Sequence, residues 1–111
     1  MPTPRPGHPV RGSSSGRPIM ALLDLLGRRW ALRVLWELRA GTATFRELRA
    51  RCDDMSPSVL NTRLRELRES GIVEDASDAG GYTLTRRGRK LLSALAPLDT
   101  WARGWQPRDS T

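Results

Sequence analysis

A mainly α fold with a small β-hairpin, a winged helix-turn-helix, follows from three features of the 111-residue chain. Apolar residues recur at helical spacing from residue 19 to about 70. Two of those helices, TFRELRARC and PSVLNTRLRELRES, are separated only by the short linker DDMS. A pair of short strand-like runs, IVED and YTLT, then flanks the turn segment ASDAGG. Two helices on a tight linker followed by a hairpin have this architecture, in which the second helix enters the DNA major groove.

The elements can be justified in order. Residues 1–18 hold five Pro, three Gly and a Ser triplet, and they lack apolar periodicity. They are expected to form a disordered basic arm carrying Arg5, Arg11 and Arg17. IMALLDLL predicts a short apolar helix ending near Gly27, and WALRVLWELRA a second one. Leu32, Leu35 and Leu38 lie on the stripe of that second helix, widened by Val34 and Trp36. Gly41 ends it. Thr44 and Glu47 have capping-box spacing at the start of the third helix, with Phe45, Leu48 and Cys52 facing inward. Ser56 as N-cap and Pro57 at the first helical position open the fourth, which Gly71 stops. Residues 72–85 read as the hairpin. Thr85 caps a last helix that Pro97 should kink or divide. The domain is expected to span 19–106, with a frayed end at 107–111.

The fourth helix is the candidate recognition element, at about residues 56–70. Leu60, Leu64 and Leu67 centre its apolar face. Steps of about 100° per residue place Ser58, Thr62, Arg65 and Glu69 opposite, with Asn61 and Glu66 flanking. Ser, Thr, Asn and Arg are groups that read base edges or phosphates. Ser58, Asn61, Thr62 and Arg65 are therefore candidate groove residues, while Arg63 lies nearer the core boundary.

The charge of +7 comes from 19 basic and 12 acidic residues, and 18 of the basic ones are Arg. Arg grips phosphate with a planar fork of donors, so the balance favours an acidic partner such as nucleic acid. No run of 18 apolar residues suggests a membrane span. A single Cys and an N-terminus without an apolar leader core point to the cytoplasm. Enzyme, cofactor and metal readings find no support. The one His is His8 in the arm, and there is no nucleophile–base pair, phosphate-cradling Gly loop or Cys/His metal spacing. Few aromatics beyond Trp are available for stacking bases, which disfavours RNA.

Four stretches in order carry a resemblance. LLDLLGRRWALRVLWEL holds Gly27, Arg29 and Trp30. TFRELRARCDDMS holds Phe45, Glu47, Leu48 and Ser56. VLNTRLRELRESGIV holds Leu60, Arg63, Leu64, Leu67 and Gly71. YTLTRRGRKL holds Tyr82, Leu84, Thr85 and Gly88. Together they resemble the HxlR-type winged helix-turn-helix transcriptional regulators of bacteria, relatives of the MarR group, over about residues 17–105. The resemblance implies a sequence-specific regulator of double-stranded DNA acting as a homodimer. Its DNA-binding residues would be Ser56, Ser58, Asn61, Thr62, Arg63 and Arg65, with Thr44 and Arg46 at the preceding helix. The first and last helices would form the dimer interface through Leu22, Leu23, Leu26, Leu95, Leu98 and Trp101. A small-molecule effector could bind between those helices near Trp30 and Trp101, and no residue names its chemistry.

Two departures qualify the resemblance. Arg17-Pro18 stands where many members have Cys-Pro, which removes that redox route and leaves Cys52 as a small buried hydrophobe. The wing is short and acidic, through Glu74, Asp75 and Asp78, and carboxylates repel phosphates. The alternative reading is a winged-helix protein–protein interaction module with weak or lost operator binding.

Overall fold

The computed structural model describes residues 2–77 and 80–108; the wing's Asp78 and most of the tail at 107–111 lie outside the described residues. α1 spans Pro18–Leu26, with its proline in the first turn where no amide is needed. α2 spans Ala31–Glu37 and tightens into a 3-10 turn at Leu38–Ala40. α3 spans Phe45–Arg51 and α4 Pro57–Glu69. β1 (Val73–Asp75) and β2 (Tyr82–Leu84) pair antiparallel, with Val73 opposite Leu84 and Asp75 opposite Tyr82. α5 covers Arg86–Leu95 and α6 Pro97–Arg103.

The caps are those the sequence signals. The Thr44 hydroxyl accepts from the Glu47 amide at 3.1 Å, and the Glu47 carboxylate accepts from the Thr44 amide at 2.9 Å. Hydrogen bonding to the carboxylate, from the Thr44 backbone amide first and the Thr44 side chain second, holds the Glu47 carboxyl below the usual glutamate range. Ser56 caps α4, and the Thr85 hydroxyl accepts from the Gly88 amide at 2.9 Å. Gly71 takes φ +74 after α4, and the Ile72 amide reaches back to the Leu67 carbonyl at 2.9 Å. This left-handed cap satisfies the last carbonyls and turns the chain into β1.

The core lies among α2, α3 and α4. Leu35, Leu38, Leu48, Leu60, Leu64, Leu67 and Cys52 are all sealed from solvent. Burying each leucine contributes about 1.5–3 kcal/mol before entropy is counted. Val73 and Leu84 close it from the hairpin side, and Leu25 and Leu26 from α1. Pro97 divides the last helix, as it has no amide with which to continue the ladder.

Four details differ from the sequence expectation. Leu32 is 46% exposed, because the buried stripe of α2 is Ala31, Val34, Leu35 and Leu38. Leu26, expected at a subunit interface, is buried in the protomer's own core. Glu66, expected on the solvent face, is 2% exposed. Ala43 pairs with Tyr82 through two backbone bonds of 2.7 and 3.0 Å, which adds a one-residue strand beside the wing.

Residues 2–17, part of the segment expected to be a disordered arm, hold no helix. They turn through a Val10–Ser13 bridge and lie against α1 and α4. The Thr3 hydroxyl donates to Glu69 at 2.5 Å, and Arg28 donates to the Pro2 carbonyl at 2.7 Å.

Candidate nucleic-acid interface

α4 is amphipathic in the strict sense that its inner face is closed and its outer face is polar. Ser58, Asn61 and Arg65 are exposed there, and Thr62 is half-buried beside them. The Thr62 hydroxyl donates to the Ser58 carbonyl at 3.0 Å, leaving its oxygen as an acceptor. Among the described residues Arg65 is held only by a 3.7 Å ion pair with Glu69, both well exposed. Such a pair contributes at most about 1 kcal/mol, so Arg65 can swing to a new partner. The Ser56 hydroxyl is engaged as the cap and lies 3.0 Å from Ser58 Oγ.

The other sequence candidates have different surroundings. Arg63 turns inward, with its side chain 18% exposed, and pairs with Glu66. Arg28, from the α1–α2 turn, pairs with the same carboxylate. Arg63, Glu66 and Arg28 thus form a partly buried brace that fixes α4 against the turn, and Arg63 belongs to it rather than to the groove face. Thr44 is committed to its capping box, and Arg46 projects from the first turn of α3 to solvent.

The sequence reading missed the brace. The Arg63/Glu66 spacing was visible, but Arg28 lies 38 residues from Glu66 and no periodicity links them.

The wing is less repulsive than its composition suggests. Arg68 donates to Asp75 at 3.1 Å, and its guanidinium lies 5.9 Å from the Tyr82 ring centre. Glu74 remains exposed. Cys52 is fully enclosed, and burial pushes its thiol up from its ordinary value. Among the described residues no cluster of His, Cys, Asp or Glu could hold a metal ion. No helix there is long and apolar enough to cross a membrane.

The surface around α6 is apolar. Leu98, Trp101 and Trp105 are each more than half exposed there, and α6 has no buried residue, while the exposed Leu23 lines the groove between α1 and α4. Trp101 and Trp105 lie with ring centres 5.4 Å apart. A groove of about 410 Å³ runs between α2 and the α5–α6 arm, over Leu32, Trp36, Leu92, Leu95 and Leu98. Of the expected interface residues, Leu22 and Leu95 are half-buried.

A helix pair sealed on one side, a polar outer face on its second helix and a flanking hairpin define the winged helix-turn-helix regulators as a class. Residues 25–110 match the family described as HxlR-like helix-turn-helix, and the chain belongs to that family. It is 31% identical over 88 residues to the HTH-type transcriptional regulator YvaP of Bacillus subtilis, covering 75% of this chain and 82% of that one. It is 37% identical over 106 residues to an HTH-type transcriptional regulator of Mycobacterium tuberculosis, covering 91% of this chain but only 64% of the relative's length. The solved structure of quinone-bound YodB from B. subtilis superposes with a TM-score of 0.69 at 31% identity, covering 79% of this chain and 98% of that one. The chain is a transcriptional regulator of the HxlR-like winged-helix type. Its relatives form a non-enzymatic class.

Proposed function

We propose that the chain is a cytoplasmic homodimer that binds a specific operator in double-stranded DNA, with α4 of each subunit in the major groove. One observation carries this reading. The inner face of α4 is wholly consumed by the core, while Ser58, Asn61, Thr62 and Arg65 stand together outside it with no structural task that needs all four. Asn is suited to adenine and Arg to guanine in that groove. Arg46 at the start of α3 supplies a backbone contact, and Ser56 and Thr44 hold the two helix starts in place.

The second subunit covers the α5–α6 surface. Leu98, Trp101 and Trp105 form a contiguous apolar surface that a lone protomer leaves in water. A two-fold pair would present two copies of α4, so the operator would have two half-sites about one helical turn apart. The interaction-module alternative drew on the acidic wing, and the Arg68–Asp75 pair weakens that motive. YodB has been captured with a quinone. In this chain Arg17 precedes Pro18 and the one thiol is sealed, so any effector acts here by a route other than thiol chemistry.

Footprinting of the DNA flanking the protein's own gene tests the proposal. Two protected half-sites at one-turn spacing are expected. No protection at micromolar protein would contradict it.

A further inference from the structure

A duplex seated on α4 passes its phosphates along both flanks of that helix. On the hairpin itself the exposed charges among the described residues are Glu74 and Asp75, the latter paired with Arg68 of α4, so the hairpin offers little net positive charge. On the other flank a groove of about 740 Å³ separates α4 from α1 and the α1–α2 turn. Five arginines line it: Arg11, Arg28, Arg29, Arg63 and Arg65. Its carboxylates are already occupied. Glu66 is shared by Arg28 and Arg63, and Asp24 lies 3.5 Å from Arg28.

Arg29 and Arg11 are different. Both are exposed, and neither has a carboxylate partner among the described residues. Arg29 rests only near the Trp30 ring, 5.8 Å from its centre. Its outward direction is built into the backbone. Trp30 adopts φ +75, which a bulky residue rarely does, and the Ala31 amide bonds the Arg28 carbonyl at 3.0 Å across the turn. The turn sends Arg28 inward to Glu66 and leaves its neighbour Arg29 in solvent. Thr62 and Arg65 form the facing wall, on the side of α4 that points to DNA.

We propose that this groove is the principal backbone-phosphate site of the DNA complex. Arg29 and Arg11 clamp a phosphate on the α1–α2 flank of the recognition helix, with Thr62 and Arg65 on the opposite wall, and the wing adds little. An arginine fork matches a phosphate with two parallel hydrogen bonds. The inference rests on the operator-binding reading above, and it assigns the side from which the backbone is held.

The test is the salt dependence of operator affinity for the full-length protein. Wild type must first prefer the flanking DNA over random DNA; failure there is failure of the operator reading. Given that preference, Arg29→Gln should lower the slope of log affinity against log salt by about 0.9 per lost phosphate contact, about 1.8 for a dimer. Arg29→Lys should keep most of the slope, and Arg11→Gln should lower it in the same direction. Glu74→Gln should leave it near wild type. Arg29→Gln and Arg11→Gln both retaining the wild-type slope would overturn the proposal. So would a larger change in Glu74→Gln than in either arginine variant.

Discussion

At Gly88 a side chain has no room: an added Cβ would lie 2.1 Å from the Ile72 carbonyl oxygen. Gly88→Ala should therefore force α5 off the hairpin and destabilise the protein by roughly 1–3 kcal/mol, the usual cost of overpacking, as urea unfolding would measure. Cys52 makes a second residue-scale prediction. Its enclosed thiol should resist thiol reagents in the native protein and react fully once denaturant is added. Burial raises its folded pKa above the unfolded value of about 8.5, so its contribution to stability is complete below that pH and is lost as pH rises towards the folded value. Cys52→Ala should flatten that alkaline decline. Residue-scale signals were legible where they are local. Thr44 with Glu47 and Ser56 with Pro57 announce caps within three positions. Glu66 was misread because its neighbours Arg63 and Thr62 are polar, and its partner Arg28 comes from another element.

At the scale of elements, helix existence was readable and helix facing less so. α2 has apolar residues on nearly every side, so Leu32 fits a stripe with Leu35 and Leu38 as well as Ala31 does. Tertiary packing chose Ala31, which is 1% exposed. The hairpin was legible from its turn, but the one-residue pairing of Ala43 with Tyr82 has no period to betray it. The brace between α4 and the α1–α2 turn yields the main prediction here. Glu66→Ala leaves Arg28 and Arg63 facing each other with side chains only 13% and 18% exposed. A loss of about 3–5 kcal/mol is the usual cost of orphaning a buried ion pair, and the residual exposure of the two arginines should place this one near the lower end. Thermal unfolding would show it, and Glu66→Gln should recover part of the loss through its amide oxygen.

At the scale of the molecule, the proposed function joins the outer face of α4 and the bare apolar surface at α6 in one design: the first would read DNA, and the second would set the distance between two readers. Trp101→Asp places a charge at the centre of the bare end, where the protomer itself buries nothing. It should leave the monomer folded and shift sedimentation to a single-chain species. The candidate groove residues came from helical periodicity alone, since an outer face is whatever the core does not use. The interface end was less legible, because apolar residues in the last helix serve a core and a partner equally well on a sequence. The central claim, dimeric operator recognition through α4, is tested most directly by fluorescence anisotropy with the DNA flanking the gene and with random DNA of equal length. Wild type, Arg65→Ala and Trp101→Asp would be compared at fixed salt. The flanking DNA should bind wild type at least about 1,000-fold more tightly than random DNA, with both variants losing most of that margin. Equal binding of the two DNAs by wild type, or a margin unchanged in both variants, would contradict the account.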